Sequence, residues 1–374
     1  MPTLGDIVRR HGEEYLARHG PSVPVEHRRV LALLGACRTG ELGRVRWQCD
    51  RCGRSHETPR SCGNRHCPQC QSSNGERWLA EQSARRLDVP YFLITFTLPE
   101  KLRPFVRSHQ RASYAALFRA AAGAIQKLAR DPRFLGAARI GFTAVLHTWG
   151  RQLSYHPHLH VLVPAGGVRD DGKRWLPSRP DFFVPVKALS KIFRGKFRHE
   201  MLRAGLLNEI HPALWREAFI TDSRAVGDGE SVLRYLSRYV FRVAISNARI
   251  VSLEAGRVRF RWKKSGSRRW RTMELEAHEF LRRFLQHVLP PGLQKVRHYG
   301  FLSPQSHVPL DDVRALVAAQ NTAAHDPNTT ISRDPHTPST GATTAITEPT
   351  CLYCGHPLRV VEILFHRVSF RDSA

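Results

Sequence analysis

The spacing of apolar and polar residues divides the chain into predicted helices and strands. Helices are predicted over 6–19, 25–38, 72–86, 104–130, 186–220, 231–246 and 277–288. The continuously apolar run from Tyr91 to Leu98 ends at Pro99, which predicts a buried strand. The chain therefore combines several helices with at least one strand that is covered on both faces.

Further strands are predicted in antiparallel arrangements. The apolar stretches at 139–149 and 158–163 are separated by a short polar loop, and this spacing predicts a hairpin. Three shorter strands follow at 249–253, 257–263 and 269–275, with turn-forming residues between them. Helices mixed with antiparallel strands predict an α+β fold rather than a doubly wound one.

The chain carries a large excess of positive charge. Its 374 residues include 58 Lys and Arg against 32 Asp and Glu, so the formal net charge is +26. No apolar run approaches the ~18 residues that cross a bilayer, and the first residues are charged where a signal peptide is apolar. These features predict a cytoplasmic protein that binds a polyanion such as nucleic acid and has no membrane partner.

Cysteine spacing points to metal binding, because six of the eight cysteines form three C-x-x-C pairs. Two of these pairs supply the four soft ligands of a tetrahedral structural Zn²⁺ site: Cys49, Cys52, Cys67 and Cys70. Such a site replaces the hydrophobic core that so short a segment lacks.

Four further residues are candidate zinc ligands: Cys62, His66, Cys351 and Cys354. The last two supply only half a site. They either meet Cys62 and His66, or nearby His356, or remain a pair of free thiols, and the sequence leaves these alternatives open.

Histidines are concentrated on the second strand of the predicted hairpin, at His156, His158 and His160. Because side chains alternate along a strand, His158 and His160 point to the same face about 7 Å apart. His147 ends the preceding strand, and the hairpin return brings it beside them. These three residues predict a divalent-metal site, whereas hydrogen-bonded core histidines are the simpler alternative.

The predicted helix at 231–246 carries two tyrosines on one face, since Tyr235 and Tyr239 are four residues apart. Arginines repeat at the same spacing on the adjoining stripe: Arg234, Arg238 and Arg242. A phenol has a pKa near 10, so guanidinium groups that stabilise phenolate and phosphate charge favour a nucleophilic role. Taken alone, a tyrosine pair at this spacing is typical of core packing.

The strand at 257–263 alternates strictly between cations and apolar residues. One face carries Arg257, Arg259, Arg261 and Lys263. This face is either an ordinary solvated surface or a surface that follows the phosphates of a DNA strand.

Five segments of the chain occur together and in the order of a known family: RSCGNRHCPQCQ, YFLITFTLP, LHTWGRQLSYHPHLHVLVPAGG, RYLSRYVFRVAISNARI and VRHYGFL. In these segments the sequence resembles the rolling-circle, two-tyrosine HUH transposases of bacterial insertion sequences, the insertion sequence ninety-one family. The resemblance covers roughly residues 5–302.

The resemblance implies an HUH-endonuclease-like antiparallel sheet flanked by helices, with an N-terminal helical and zinc-binding module and a flexible tail. It implies that His158 and His160 hold a divalent metal, Mg²⁺ or Mn²⁺, and that Tyr235 and Tyr239 are the nucleophiles. The implied reaction is cleavage and transfer of single-stranded DNA, at insertion-sequence ends and target sites, through a 5′-phosphotyrosine link.

The expected organisation has four parts: an N-terminal module at 1–88, a catalytic domain at 89–302, a flexible linker at 303–350 and a C-x-x-C segment at 351–374. Two other functions remain open. The chain is alternatively a zinc-containing DNA-binding protein without nuclease activity, or a histidine-triad nucleotide hydrolase, which the histidine-rich strand also fits. The second class has no use for a tyrosine pair, a zinc module or a charge of +26. The sequence does not predict the oligomeric state.

Overall fold

A computed structural model of the chain describes residues 1–228, 230–234, 244–264, 267, 269–323 and 349–366, without the side chains of 72–74. The helices are α1 (Leu4–His19), α2 (Val25–Gly35), α3 (Ser72–Ala84), α4 (Arg103–Ser108), α5 (Gln110–Ala129), α6 (Val186–Arg203), α7 (Ala277–Leu285) and α8 (Leu310–Ala323). The strands are β1 (Gly43–Cys49), β2 (Ser55–Pro59), β3 (Tyr91–Thr97), β4 (Phe142–Trp149), β5 (Tyr155–Pro164), β6 (Gly166–Val168), β7 (Trp175–Pro177), β8 (Ile220–Ala225), β9 (Ile250–Glu254), β10 (Arg257–Lys263), β11 (Trp270–Glu276), β12 (Val296–Tyr299) and β13 (Leu358–Phe365). The predicted α+β class is confirmed.

The chain divides into two compact units, each assembled from separate stretches of sequence. The first contains Met1–Asn74, Ile245–Val288 and Pro327–Ala374, and the second contains Gly75–Ala244 and Leu289–Asp326. This division differs from the predicted one, because β9, β10 and β11 fall within the first unit rather than with the rest of 89–302.

A five-stranded antiparallel sheet forms the centre of the second unit, in the order β12-β4-β5-β3-β8. The predicted hairpin is confirmed, since β4 pairs with β5 along its length. One face of the sheet packs against α5 and α6 in the main core, which includes Leu159 and Phe193. The opposite face carries a smaller cluster that includes Val145 and Leu162. Successive residues of the central strand β5 therefore serve two different surfaces.

Two small antiparallel sheets lie among the described residues of the first unit. One is the β11-β10-β9 meander, in which Val258 and Phe260 are fully buried and Phe260 packs against Phe280 of α7. In the other sheet, β1 pairs with β2 on one side and with β13 on the other. Strands from both ends of the sequence thus share a ladder of hydrogen bonds.

Two boundaries expected in the tail are wrong. The segment 303–350 is not a linker throughout, because Leu310–Ala323 forms α8 and buries Val313 and Val317. The segment 351–374 is not a separate piece, because β13 completes the sheet of β1 and β2.

Two helix predictions also need correction. The segment 186–220 is helical only to Arg203, and it is followed by 3-10 turns and by the edge strand β8. The sequence of β8 is polar because one side of an edge strand faces solvent, so its pattern does not resemble a strand. Of the helix predicted at 231–246, residues 231–234 are helical and 244–246 are not, while 235–243 lie outside the described residues.

Within the described part of the chain, no helix combines the length and the hydrophobicity that a bilayer-spanning helix needs.

Candidate metal centres and DNA-contacting residues

Three histidines meet on one face of the five-stranded sheet. His147 on β4 is the register partner of His158 on β5, and His160 lies two residues further along β5. The ring centroids of His147 and His160 are 4.6 Å apart, and those of His158 and His160 are 4.9 Å apart. One ligand nitrogen from each residue lies within 4.8 Å of the other two, so the group can hold one metal ion.

Hydrogen bonds orient two of these rings. Nδ1 of His158 lies 2.7 Å from the carbonyl oxygen of His156, and because a carbonyl only accepts, Nδ1 carries the proton and Nε2 is the free ligand. Nδ1 of His160 lies 3.2 Å from Oγ1 of Thr95, its register partner on β3. Partners of this kind hold metal-binding imidazoles in place in other proteins.

Burial favours the neutral form of all three imidazoles. It lowers the pKa of His158 to about 4 and the pKa of His160 to about 3. Burial, together with the neighbouring His160 and His158, also holds the pKa of His147 well below its usual value. Because a neutral imidazole is the form that binds a metal, no proton has to be displaced near neutral pH.

The histidine-bearing face of the sheet also carries a short helical segment at 230–234. Val232 and Leu233 of this segment are buried in the cluster that includes Val145. Val145 is the register partner of His160 and lies on the same face. Residues 230–234, which directly precede the tyrosine pair in the sequence, therefore lie on the histidine-bearing face of the sheet.

Four of the predicted functional residues lie outside the described residues: Tyr235, Arg238, Tyr239 and Arg242. The structure does not place their side chains. They begin two residues after Leu233 in the sequence.

Several of the predicted DNA-contacting cations form ion pairs within the protein. Arg234 lies 2.7 Å from Glu230, one helical turn earlier. Arg257 and Arg259 share Glu274 of β11, at 2.5 Å and 2.9 Å. These pairs are exposed, so they neutralise part of the positive charge without strongly stabilising the fold.

The other two cations of β10 make different contacts. Arg261 donates to the carbonyl oxygen of Ala248 at 3.1 Å, and Nζ of Lys263 lies 4.7 Å from the ring centroid of Trp270. The predicted alternation along this strand is confirmed for Val258 and Phe260, which are buried, whereas Trp262 is only half-buried.

Cysteines form a first group of four near the end of α2: Cys37, Cys62, Cys67 and Cys70. The sulfur of Cys70 lies 3.6 Å from those of Cys37 and Cys62, and the Cys37–Cys67 distance is 3.7 Å. Four thiolates about 2.3 Å from a tetrahedral Zn²⁺ lie about 3.8 Å apart, so this group fits a zinc ion. Contacts with Cys62 and Cys67 lower the pKa of the Cys37 thiol to about 7, while the contact with Cys37 raises the pKa of the Cys62 and Cys67 thiols.

The remaining four cysteines form a second group: Cys49, Cys52, Cys351 and Cys354. The expectation that Cys49 and Cys52 share a site with Cys67 and Cys70 is therefore wrong. Two of the three alternatives considered for Cys351 and Cys354 are also wrong, because neither Cys62 with His66 nor His356 belongs to their group. The third alternative, free thiols, stays open at this point, since none of the four cysteines forms a disulfide. His66 lies outside both groups of ligands.

The β1–β2 hairpin explains why the cysteines separate. Cys37 precedes β1 and Cys62 follows β2, so both lie at the open end of the hairpin, whereas Cys49 and Cys52 lie at its tip. A strand of seven residues such as β1 is about 20 Å long. Cysteines at opposite ends of such a hairpin cannot ligate the same ion.

Three residues near these centres were not singled out by the sequence. Cys37 has no C-x-x-C partner, and Thr95 sits in an apolar strand whose register partner is unknown until the sheet forms. Arg103 lies at the start of α4. The pKa of His156 is lowered mainly by the burial of its ring, and the positive charge of Arg103 is the second cause. The buried Nε of Arg103 has no hydrogen-bond partner among the described residues. Nothing local in the sequence marks these positions.

Comparison with known proteins gives consistent matches over most of the chain. An IS91 family profile described as "Transposase zinc-binding domain" matches residues 7–98. A second family profile, described as "Putative transposase", matches residues 141–308. "Putative transposase y4qJ" from Sinorhizobium fredii (strain NBRC 101917 / NGR234) is 42% identical over 322 residues, which is 80% of each chain. "Transposase for insertion sequence element IS801" from Pseudomonas savastanoi pv. phaseolicola is 27% identical over 309 residues, covering 77% of this chain and 73% of the relative. No solved structure matches the chain.

Proposed function

This chain belongs to the IS91 family of rolling-circle transposases, and we propose that it cuts and joins single-stranded DNA through a covalent 5′-phosphotyrosine intermediate. The observation that carries the proposal is the group formed by His147, His158 and His160, whose ligand nitrogens lie within 4.8 Å of one another. Metal-assisted attack on a phosphodiester needs such a group on a rigid element. The net charge of +26 suits a polyanionic substrate.

The three histidines would hold the divalent cation, and an all-imidazole ligand set favours Mn²⁺ over Mg²⁺. When bound, the cation supplies positive charge that orients a phosphate and withdraws electron density from phosphorus. The protein keeps the ligands ready: the carbonyl of His156 and the hydroxyl of Thr95 orient two rings. Burial keeps those rings unprotonated near neutral pH.

Tyr235 and Tyr239 are the proposed nucleophiles. In each transfer the tyrosine hydroxyl loses its proton and its oxygen forms a bond to phosphorus. The bond from phosphorus to the 3′ oxygen breaks, and that oxygen takes up a proton and leaves as a 3′-OH, so no net proton is gained or lost. The covalent link conserves the ester, so no nucleotide cofactor is needed. The packing of Val232 and Leu233 on the histidine-bearing face supports this assignment, because the tyrosines follow directly in the sequence.

Structural zinc and surface cations complete the proposal. The first cysteine group lies within the zinc-binding family match, and we assign a structural Zn²⁺ to it. The proposed DNA-contacting residues are Arg234, Arg238, Arg242, Arg257, Arg259, Arg261 and Lys263. We expect the partners to be single-stranded DNA at the ends of the insertion sequence and the target DNA.

The nucleophiles are tested with labelled single-stranded oligonucleotides that carry the element ends. Wild-type protein with Mn²⁺ should give a covalent adduct that survives denaturing electrophoresis, and mass spectrometry should place the label on Tyr235 or Tyr239. The Tyr235→Phe/Tyr239→Phe double variant should lose the adduct and keep salt-sensitive DNA binding. Tyr353→Phe is the matched control, because this tyrosine is exposed and is not a proposed nucleophile. An adduct that persists in the double variant refutes the assignment.

The metal group is tested separately with the His158→Ala/His160→Ala double variant. It should lose Mn²⁺-dependent cleavage, while His307→Ala, at an exposed histidine outside the group, should cut normally. Cleavage by the double variant in the presence of a chelator would contradict the proposal. Specific DNA binding without any adduct from the wild type would instead favour the binding protein, and release of mononucleotide from a dinucleotide would favour the hydrolase.

A further inference from the structure

The second cysteine group is built from two turns with the same geometry. At the tip of the β1–β2 hairpin, the N–H of Gly53 donates to the carbonyl of Cys49 at 2.8 Å, and Cys49 N–H donates to the carbonyl of Arg54 at 3.0 Å. In the C-terminal segment, Gly355 N–H donates to the carbonyl of Cys351 at 2.9 Å, and Cys351 N–H donates to the carbonyl of His356 at 2.8 Å. Each turn follows the pattern C-x-x-C-G, and both glycines have φ of 70°. Two matching knuckles of this kind are the ligand-bearing elements of zinc ribbons.

The two knuckles face each other at the spacing of a tetrahedral thiolate site. The sulfurs of Cys49 and Cys354 are 3.4 Å apart, and those of Cys52 and Cys351 are 3.6 Å apart. All four lie within 4.8 Å of one another. These distances are close to the ~3.8 Å edge of a ZnS₄ tetrahedron, and far from the ~2.05 Å of a disulfide. Nε2 of His56 lies 3.3 Å from the sulfur of Cys351, where it can hydrogen-bond to a thiolate ligand.

The sheet that joins the knuckles has little hydrophobic core to hold it together. On β13, Val360, Val361, Ile363 and Phe365 are all at least 40% exposed. Strand β2, on the other side of β1, has no buried residue either. A small sheet without a buried face depends on a cross-link for its stability, and in a segment with paired C-x-x-C motifs that cross-link is a metal ion.

We propose that Cys49, Cys52, Cys351 and Cys354 bind a second structural Zn²⁺, which forms a zinc ribbon from segments at both ends of the chain. The ion fastens β13 to β1 and makes the C-terminal segment part of the N-terminal unit. The protein then carries two zinc ions, and each cysteine of the chain is a ligand of one of them. This inference does not depend on the reaction proposed above.

Zinc content of the full-length chain tests the proposal directly. The histidine group can also hold zinc, so all of these measurements use protein that carries His158→Ala/His160→Ala. Native mass spectrometry of this protein should give two zinc ions per chain, and X-ray absorption at the zinc edge should give an all-sulfur first shell at about 2.3 Å. The Cys351→Ser/Cys354→Ser variant should retain one ion. The matched control Cys62→Ser/Cys70→Ser should also retain one ion, because it removes the first site and leaves the second.

Hydrogen–deuterium exchange shows which of the two sites stabilises β13. Loss of the second site should speed the exchange of the Leu358–Phe365 amides at least tenfold, whereas loss of the first site should leave these amides unchanged. One zinc ion in the protein that lacks only His158 and His160, or a mixed nitrogen and sulfur shell in it, overturns the proposal. Two ions in Cys351→Ser/Cys354→Ser overturn it as well, and neither result bears on DNA cleavage.

Discussion

The pairing of β1 with β13 depends on a glycine, and we predict that Gly43→Ala disrupts it. Gly43 begins β1 with φ of +96° and is the register partner of Phe365. A Cβ at this position would lie far closer to the carbonyl oxygen of Leu364 than the 3.0 Å that real Cβ atoms keep. That oxygen belongs to the backbone of β13, so no change of rotamer relieves the collision.

A neighbouring glycine provides a matched control for the backbone strain. Gly40 has φ of +99°, but a Cβ there would meet nothing closer than the Arg44 guanidinium, at 3.7 Å. Alanine at either position costs about 1–2 kcal/mol for the left-handed backbone. At Gly43 the strands must also separate, and the loss of two ladder hydrogen bonds adds about 2 kcal/mol. We therefore expect the opening of β13 to be about 2 kcal/mol easier in Gly43→Ala than in Gly40→Ala.

Hydrogen exchange measures this difference strand by strand. A change of about 2 kcal/mol in the free energy of opening corresponds to about a 30-fold change in exchange rate. The amides of Leu358–Phe365 should therefore exchange about 30-fold faster in zinc-loaded Gly43→Ala than in zinc-loaded Gly40→Ala. Equal rates in the two variants would refute the reasoning, because they would mean that β13 does not approach Gly43 in solution.

Three further predictions concern the second unit. Tyr114→Phe removes a 2.7 Å hydrogen bond between the hydroxyls of Tyr114 and Tyr155, and we expect urea denaturation to give a loss of about 1 kcal/mol. Leu159→Ala leaves a cavity at a fully buried position and should lower the free energy of unfolding by about 2–5 kcal/mol. Ile220→Ala, at an exposed position, should change it by less than about 0.5 kcal/mol. Burial lowers the pKa of His298 to about 4, so stability that is present above pH ~6.5 is lost as the pH falls towards 4, and His298→Gln should flatten that dependence.

Each of these predictions has a clear opposing result. Unchanged stability of Tyr114→Phe would mean that the two hydroxyls do not meet in solution. Equal losses from Leu159→Ala and Ile220→Ala would contradict the placement of the core on that side of β5. For His298, urea denaturation at pH 7 and pH 5 should show a smaller difference in the variant than in the wild type, and an equal difference would contradict its burial.

Local periodicity was sufficient to predict the histidine group but not its surroundings. Strict alternation placed His158 and His160 on one face, and the short loop between two apolar strands predicted that His147 would return beside them. Their role in catalysis stays a proposal. Thr95 and Arg103 come from other elements, and only the completed sheet shows that they lie near the histidines.

Cysteine spacing predicted metal binding but not the partners of each cysteine. The knuckles at Cys49 and Cys67 look alike in sequence, and their pairing depends on which end of the β1–β2 hairpin each one occupies. The edge strands β8 and β12 were missed for a related reason. They are short and polar, and they are held by backbone pairing to a neighbour rather than by their own hydrophobic pattern.

The sheet that joins β1 to β13 has a consequence for biosynthesis. Domains generally fold as they leave the ribosome, with the N-terminal parts first. Here β1 ends at Cys49 and its partner β13 ends at Phe365, so this hydrogen-bonding edge of β1 stays open until residue 365 has been synthesised. A ribosome that stalls or shifts frame before that point releases a chain in which this edge has no β13 to pair with. Nascent and truncated chains should therefore be more prone to aggregation and to proteolysis than the finished protein.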